Sequence, residues 1–313
     1  MSEPVVQIDN LVKRYREKTA VDHFSLTIRE GEILGLLGPN GSGKTTTINC
    51  LLSILRYDEG QVRIFGRKMG PGENDIKRDI GLVMQNVAVI DGLTVQENVD
   101  FFCGLYVRDR NRRKELVRQA IEMTQLQDYT KYLPKKLSGG LLRRLNIACG
   151  IAHRPKLIIF DEPTVAVDPQ SRNAILDGIR KLNEEGATII YTSHYMEEVE
   201  ELCSRIVIMD RGRAVAEGTA AQLKGMLKSR ETVTIEVRDI SEEILDGIRS
   251  LEHVREVKRS GEKILVFCDG GSRNLVHIVN FLMDHHVPFG RVNSELPTLN
   301  DVFLEITGKE LRD

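Results

Sequence analysis

One run of eight residues, 38–45, constrains the fold of this chain more than any other stretch. It reads GPNGSGKT and directly follows the apolar run Ile33–Leu37. A strand, a glycine-rich loop and a helix in that order fit the phosphate-binding pattern G-x-x-x-x-G-K-[ST], in which backbone N–H groups curl around phosphate oxygens. The helix that follows points the positive end of its dipole at the anion. The pattern alone leaves open an ordinary glycine-rich turn between a strand and a helix.

Two side chains of this loop have specific chemistry. Lys44 places a cation beside the phosphate oxygens, and Thr45 offers a hydroxyl to Mg²⁺. The predicted nucleotide contacts of the loop are Gly38, Pro39, Asn40, Gly41, Ser42, Gly43, Lys44, Thr45 and Thr46.

Composition favours a globular protein of two domains. The chain has 313 residues, and 41% apolar with 29% charged residues argue against disorder. No run approaches the roughly 18 uncharged apolar residues that a membrane span needs. The start, MSEP, lacks the layout of a signal peptide. We therefore expect a cytoplasmic protein whose membrane role, if it has one, is peripheral and on the inner face.

Charge and cysteine usage exclude several classes of protein. The net charge is −2 with no long block of one sign, so we expect no nucleic acid among the partners. The densest basic run, 108–118, favours a solvated helix face, with a surface near anionic lipid or a membrane partner as the alternative. The five cysteines lie far apart, which predicts reduced and mostly buried thiols rather than a zinc site or disulfides.

Three predicted buried strands end in side chains suited to phosphate chemistry. Gln85 follows the apolar run 80–84, the pair Asp161 and Glu162 follows the run 156–160, and His194 follows the strand 188–192. Ligands of open α/β sheets gather at the carboxyl ends of the strands, so these side chains should meet if the strands are parallel. Gln85 and His194 can also be plain loop or structural residues.

The two adjacent carboxylates are hard to explain structurally. Burying Asp161 and Glu162 without a partner would cost several kcal/mol, whereas a metal ion and a water molecule account for both. Asp161 would hold Mg²⁺, and Glu162 would polarise the water that attacks a γ-phosphate.

The pattern turns helical from about 94 to 154, beginning with the capping box Thr94-x-x-Glu97. Within this insertion, Ser138, Gly139 and Gly140 open a helix, which is either an ordinary N-cap arrangement or a second phosphate cradle. Tyr15 lies in a polar connector between two predicted strands, 5–8 and 20–28. It either caps the edge of a sheet or stacks on a nucleobase.

Taken together and in this order, these segments resemble the motif set of ATP-binding cassette (ABC) transporter ATPases. The resemblance covers roughly residues 4–228. It implies an α/β fold with a P-loop NTPase core at 1–229 and an inserted helical subdomain at about 86–154, with ATP and Mg²⁺ as cofactors.

The resemblance also implies roles for single residues. The residues match the family's motifs as follows: Lys44 and Thr45 match Walker A, Asp161 matches Walker B, Glu162 the catalytic glutamate, Gln85 the Q-loop, His194 the switch histidine, Asp168 the D-loop and Tyr15 the adenine-stacking aromatic. Thr45, Gln85 and Asp161 would contact the metal. Lys44, Gln85, Glu162 and His194 would take part in hydrolysis.

Ser138, Gly139 and Gly140 match the family signature, which in that family binds the γ-phosphate held by the other subunit. ATP would then be sandwiched between two cassettes. The resemblance therefore implies a second ABC ATPase subunit as partner, which we expect to be an identical one.

Beyond residue 229 the sequence changes character. Predicted strands at 232–237, 254–258, 264–268 and about 289–293 alternate with helices near 242–250 and 274–285 in the order β-α-β-β-α-β. This order predicts a small α+β ferredoxin-like accessory domain at 230–313. It ends in an apolar helical stripe at 299–306 that we expect to dock on the core. The tail 297–303 is similar to the C-terminal extension of drug- and antibiotic-resistance exporter ATPases, whose permease is a separate chain.

We therefore expect an ATP-binding and ATP-hydrolysing subunit that drives export of an amphiphilic drug or antibiotic through a separate integral membrane permease. The alternative is a soluble ABC-type ATPase that clamps a macromolecule in translation or DNA repair. A single cassette, the absence of a coiled-coil insertion and the near-neutral charge count against that alternative.

Overall fold

The computed structural model describes residues 4–227, 231–269 and 273–308, which form two compact units, 4–220 and 221–308. The division lies between Ala220 and Ala221, whereas the sequence analysis placed the domain boundary at 229–230. Most of the short helix Ala220–Lys224 belongs to the second unit, which accounts for the difference. Residues 228–230 themselves lie outside the described ranges.

The first unit combines strands and helices along its whole length. Its strands are Pro4–Tyr15 (β1), Lys18–Arg29 (β2), Ile33–Leu37 (β3), Glu59–Ile64 (β4), Arg67–Lys68 (β5), Ile80–Val83 (β6), Leu157–Asp161 (β7), Thr188–Thr192 (β8), Arg205–Asp210 (β9) and Arg213–Gly218 (β10). Its helices are Lys44–Leu51 (α1), Asn74–Arg78 (α2), Val95–Gly104 (α3), Arg110–Met123 (α4), Gly139–Ile151 (α5), Pro169–Glu184 (α6) and Met196–Leu202 (α7).

Two sheets organise this unit. One is antiparallel, in the order β2-β1-β4-β5, and the other has the order β10-β9-β3-β8-β7-β6. In the second sheet all neighbours from β9 to β6 run parallel, while β10 is antiparallel to β9. Every residue of β3, β7 and β8 is buried, as expected for parallel strands covered on both faces. The predicted α/β core is thus confirmed, and the carboxyl ends of its parallel strands lie at one edge.

The insertion between β6 and β7 is helical, as predicted. The capping box at the start of α3 is present, with the Thr94 hydroxyl accepting from the Glu97 N–H and the Glu97 carboxylate accepting from the Thr94 N–H. Ser138 is the N-cap of α5, where its hydroxyl accepts from the Leu141 N–H at 3.3 Å. Side-chain caps therefore set the start of both helices.

The first hairpin is longer than the sequence predicted. β1 and β2 pair from Pro4 to Tyr15, so Tyr15 ends a strand and does not lie in a polar connector. The register shifts between Ile8 and Leu11, where Asn10 adopts a left-handed conformation with φ of 47°. Such a bulge interrupts the alternation of apolar and polar residues. Because strands are predicted from that alternation, the second half of β1 was not predicted.

The second unit is an antiparallel sheet with helices. After the short helix Ala220–Lys224 (α8), its elements are Glu231–Glu236 (β11), Glu242–Arg249 (α9), Val254–Ser260 (β12), Lys263–Cys268 (β13), Asn274–Asp284 (α10), Val292–Glu295 (β14) and Leu299–Thr307 (α11). The sheet order is β12-β13-β11-β14, with every neighbouring pair antiparallel. This is the predicted ferredoxin-like arrangement, although its last strand begins three residues later than 289.

Two further expectations concern buried side chains. All five cysteines are free and buried, as predicted. In α11, Leu299, Val302 and Phe303 are fully buried, whereas Ile306, the fourth member of the predicted stripe, is 37% exposed.

Within the described ranges, the helices are too short or too polar to cross a lipid bilayer.

Gly81 in β6 tests the packing between this strand and α5. A Cβ there would lie 2.6 Å from Cγ of Pro155 and 2.7 Å from the carbonyl oxygen of Gly150. We expect Gly81→Ala to lower the free energy of unfolding by about 1–3 kcal/mol, because backbone and a proline ring cannot yield easily. Urea unfolding measures the change. Gly72→Ala is the matched control, since a Cβ at Gly72 meets nothing within 4 Å; equal stability of the two variants would contradict the packing.

Candidate functional site

A cleft of about 630 Å³ opens at the carboxyl edge of the parallel strands. Its lining comes from several separate parts of the first unit: Tyr15, Lys18, Ala20, Asn40, Gly41, Gly43, Lys44, Thr45, Thr46, Gln85, Glu162, Val165, His194 and Tyr195. The structure therefore brings together most of the side chains that the sequence singled out, although they lie far apart along the chain.

The glycine-rich loop after β3 places its lysine in the lining of this cleft. Gly43 precedes α1 with φ of 110°, a left-handed conformation that favours glycine. Lys44 is 7% exposed, and its Nζ donates to the carbonyl oxygens of Gly38 at 2.6 Å and Pro39 at 3.3 Å. Burial lowers the pKa of Lys44, and the carboxylates of Glu162 and Asp161 oppose that shift. The cation thus lies in the electrostatic reach of both acids.

Asp161 ends β7 beside the first residues of α1. Its Oδ1 accepts a 2.7 Å hydrogen bond from the Thr192 hydroxyl, and its Oδ2 lies 3.5 Å from Oγ1 of Thr45. A hydroxyl and a carboxylate oxygen at this distance are hard oxygen ligands of the kind that Mg²⁺ prefers. Among the described residues no group of three His, Cys, Asp or Glu forms a metal site. The pair fits Mg²⁺, which is usually bound by one or two protein ligands together with nucleotide phosphates.

Glu162 is held in an unusual backbone conformation. Its φ is 50°, and its N–H donates to both the carbonyl oxygen and the hydroxyl of Thr192, at 3.1 and 3.0 Å. Left-handed backbone at a residue other than glycine costs energy and persists where the surroundings hold it in place. The Glu162 carboxylate lines the cleft, with Oε2 3.7 Å from Nδ1 of His194.

A buried carboxylate, Glu198 in α7, holds the loop that carries His194. Glu198 is fully buried, and Oε1 lies 2.6 Å from Nε of Arg172 in α6. Its Oε2 accepts hydrogen bonds from the hydroxyls of Thr164, Tyr191 and Ser193. Thr164 follows Glu162 and Ser193 precedes His194, so one buried charge ties together the two loops that carry these residues.

Ser138, Gly139, Gly140 and Asp168 are outside the lining of this cleft. Ser138 and Gly139 are exposed, and a Cβ at Gly140 would lie 2.8 Å from Oδ2 of Asp168. Asp168 caps α6, where hydrogen bonds from the backbone and the hydroxyl of Ser171 lower the pKa of the Asp168 carboxyl. Gly140 therefore lies close to Asp168, and neither residue lines the cleft formed by the same chain.

The sequence analysis missed a glycine that braces the phosphate loop. Gly212, in the turn between β9 and β10, donates its N–H to the carbonyl of Ser42 at 2.8 Å and accepts from the N–H of Asp22 at 2.9 Å. Its φ of 81° favours glycine. A Cβ at Gly43 would also lie 2.5 Å from the carbonyl oxygen of Ala20. No local pattern at 210–213 predicts this role, because the contact joins parts of the chain that are far apart in sequence.

Gly212→Ala tests this brace. A Cβ would lie 2.9 Å from three backbone atoms of residues 20–22, so the turn must move. This movement disturbs the hydrogen bond from the Gly212 N–H to the Ser42 carbonyl. We expect ATP affinity to fall roughly tenfold, the loss equivalent to one good hydrogen bond. Titration of a fluorescent ATP analogue measures it. The matched control is Gly66→Ala, where φ is 72° but no atom lies within 4 Å; it should lose stability alone, and an equal loss of affinity there would contradict the brace.

Comparisons with known proteins agree with this geometry. The family model described as ABC transporter matches residues 21–165. The linearmycin resistance ATP-binding protein LnrL of Bacillus subtilis (strain 168) is 38% identical over 312 residues, which cover 99% of this chain and 100% of that protein. The Nod factor export ATP-binding protein I of Ralstonia nicotianae is 32% identical over 100% of this chain and 96% of its own length.

A solved structure with a similar fold is the ATP-binding cassette MJ0796 in a dimeric post-hydrolysis state bound to ADP and Pi. It superposes with a TM-score of 0.63 and 28% identity, covering 68% of this chain and 98% of that one. The parallel sheet, the phosphate loop and these relatives together show that this chain belongs to the ABC transporter family, as an ATP-binding and ATP-hydrolysing subunit.

Proposed function

We propose that this chain, as one of two identical cassettes, hydrolyses ATP with Mg²⁺ to energise export of an amphiphilic drug or antibiotic through a separate membrane permease. The observation that supports the hydrolytic part most directly is the Glu162 carboxylate, which lines the same cleft as the phosphate loop. Attack of water on a γ-phosphate requires a general base close to the bound phosphate, and this cleft contains candidates for both.

The phosphate loop and Tyr15 would bind the nucleotide. The backbone N–H groups of the loop and the Lys44 cation would contact the β- and γ-phosphates. Tyr15 lines the cleft at the end of β1 with 47% of its surface exposed, so its ring is free to stack on the adenine. Lys13 Nζ lies 5.3 Å from the centre of this ring, which adds a cation–π contact.

Three oxygen donors would hold Mg²⁺ beside the phosphates: the hydroxyl of Thr45, the carboxylate of Asp161 and the side-chain amide of Gln85. When bound, the ion neutralises charge that develops on the phosphate oxygens. Thr192 keeps one Asp161 oxygen occupied, and the other faces Thr45.

Glu162 would orient the attacking water and accept its proton, and the neighbouring His194 would hydrogen-bond the γ-phosphate. The separation of 3.7 Å between Glu162 Oε2 and His194 Nδ1 allows both side chains to reach one water–phosphate pair. Lys44 would stabilise the charge on the transferred phosphoryl group.

The second cassette would complete the site. Ser138 and Gly139 are exposed at the N-terminus of α5 and are not part of their own chain's cleft. Exposed N–H groups at a helix start suit an anion, so these residues would contact the γ-phosphate held by the partner cassette. The dimeric state of MJ0796 supports this arrangement.

Two exposed apolar side chains of the helical insertion favour a protein partner. Phe101, on α3, is 46% exposed, and Leu105, the C-cap of that helix, is 61% exposed. Phe101 also lines a groove of about 1,200 Å³ between α3 and α4. Large exposed apolar side chains beside a groove lined mostly by charged and polar residues suit a protein partner, and we propose that the permease docks here. One of the two relatives is named for resistance and the other for export, which supports a transporter subunit rather than a soluble macromolecular clamp.

Glu162→Gln tests the general base. Because the amide cannot accept the proton, we expect turnover to fall by about 10²–10⁴-fold while ATP binding and dimerisation persist. Phosphate release, nucleotide titration and analytical ultracentrifugation measure the three properties. Glu197→Gln is a matched control at a side chain that is 93% exposed, and it should leave turnover unchanged. Near-normal hydrolysis by Glu162→Gln would refute the assigned role.

Export is tested in cells that lack this chain. We expect them to become more sensitive to amphiphilic antibiotics and to accumulate more of a fluorescent one. Wild-type protein should restore resistance, whereas Glu162→Gln at the same expression level should not, because the permease then lacks its energy source. Unchanged sensitivity, together with salt-sensitive association of the chain with ribosomes or DNA, would favour the macromolecular clamp instead.

A further inference from the structure

The segment that carries Gln85 is held in place by a helix that supplies no lining residue of the cleft. Residues 84–88, here called the glutamine segment, follow β6, and all their side chains are exposed. Packing of these side chains therefore contributes little to the position of the backbone. Two buried side chains of α5, Arg143 and Asn146, hydrogen-bond to it instead.

The contacts of α5 span the whole segment. Nη1 of Arg143 donates to the carbonyl oxygens of Met84 at 3.1 Å and Gln85 at 2.6 Å. Nδ2 of Asn146 donates to Met84 at 3.3 Å, and its Oδ1 accepts from the N–H of Ala88 at 2.9 Å. Arg143 and Asn146 are three residues apart and so share one face of the helix. Together they clamp the segment before and after Gln85.

Burying the charged guanidinium of Arg143 costs desolvation free energy. It is 6% exposed, and burial lowers the pKa of its guanidinium, with the carboxylate of Glu162 as the opposing influence. Charge-assisted hydrogen bonds are stronger than neutral ones, which makes a buried guanidinium an effective anchor for two carbonyl groups. A neutral residue could fill this volume at a lower desolvation cost, so stability alone does not account for the cation.

We propose that Arg143 and Asn146 are positioning residues for Gln85: they fix the backbone of the glutamine segment so that the Gln85 amide reaches the Mg²⁺ of the bound nucleotide. This inference rests on the proposed role of Gln85 as a metal ligand. Residues that orient a metal ligand typically affect metal affinity or activity about 10–100-fold when they are removed.

The clamp also lies on the helix that begins with the exposed residues Ser138 and Gly139. α5 begins at Gly139, and Arg143 lies about one turn further along. The exposed end that would contact the partner's nucleotide and the residue that anchors Gln85 are therefore parts of the same short rigid element. A displacement of α5 when the second cassette binds would move the anchor of Gln85 with it.

The test measures how much Mg²⁺ strengthens nucleotide binding, without relying on turnover. A fluorescent non-hydrolysable ATP analogue is titrated in Mg²⁺ and in EDTA, and the ratio of the two affinities is compared between variants. We expect Arg143→Gln to reduce this ratio by about tenfold while affinity in EDTA stays near that of the wild type. Gln85→Ala should reduce the ratio to a similar extent, and the double variant should lose no more than either single variant.

Arg144→Gln is the matched control. Arg144 is the next residue of α5, but its guanidinium faces the carbonyls of Thr124 and Gln125, at 3.5 and 3.4 Å. The same change of charge on the same helix should leave the Mg²⁺ ratio unaltered. Arg143→Lys, which keeps the cation, should recover part of the ratio, and Asn146→Ala should reduce it less than Arg143→Gln. These two variants keep the test decisive if Arg143→Gln fails to fold.

The outcomes separate the inference from the function on which it rests. If Gln85→Ala lowers the Mg²⁺ ratio and Arg143→Gln does not, the positioning role is wrong and the metal contact of Gln85 stands. If Gln85→Ala itself has no effect on the ratio, the proposed metal contact fails and the inference fails with it. Equal losses of affinity in Mg²⁺ and in EDTA for Arg143→Gln would show a merely structural role and overturn the proposal.

Discussion

The site depends on the register in which the central parallel strands pair. Leu36 of β3 lies opposite Thr192 of β8, and Thr192 lies opposite Asp161 of β7. This alignment brings the Thr192 hydroxyl to one oxygen of Asp161 and leaves the other facing Thr45. Because side chains alternate between the faces of a sheet, a slip of one residue would turn Thr192 away from Asp161 and dismantle the arrangement.

Buried charges then hold the backbone segments around this edge. Lys44 donates to carbonyls of its own loop, Arg143 donates to those of the glutamine segment, and Glu198 accepts from hydroxyls beside the His194 loop. A buried charge without partners costs several kcal/mol, so each of these groups strongly favours the conformation in which its neighbours reach it. The cleft is therefore assembled as much by hydrogen bonds to charged side chains as by apolar packing.

Features with a short-range cause were predictable from the sequence. The carboxyl ends of the buried strands located Gln85, Asp161 and His194 because apolar runs followed by polar residues need no knowledge of the fold. The caps at Thr94 and Ser138 were visible for the same reason, since a cap bonds to residues three positions away. The second half of β1, after the predicted strand 5–8, was not predictable, because a bulge at Asn10 interrupts the local pattern and only pairing with other strands extends the strand to Tyr15.

By itself, the sequence determined the family motifs, the chemical nature of each cleft side chain and the strand or loop that carries it. The tertiary structure alone decided that Gly212 supports the phosphate loop, that Arg143 holds the carbonyl of Gln85, and that Ser138 and Gly139 do not line their own chain's cleft. The reason is that these contacts join residues far apart in the chain. They depend on the order in which strands and helices assemble, which local periodicity does not encode.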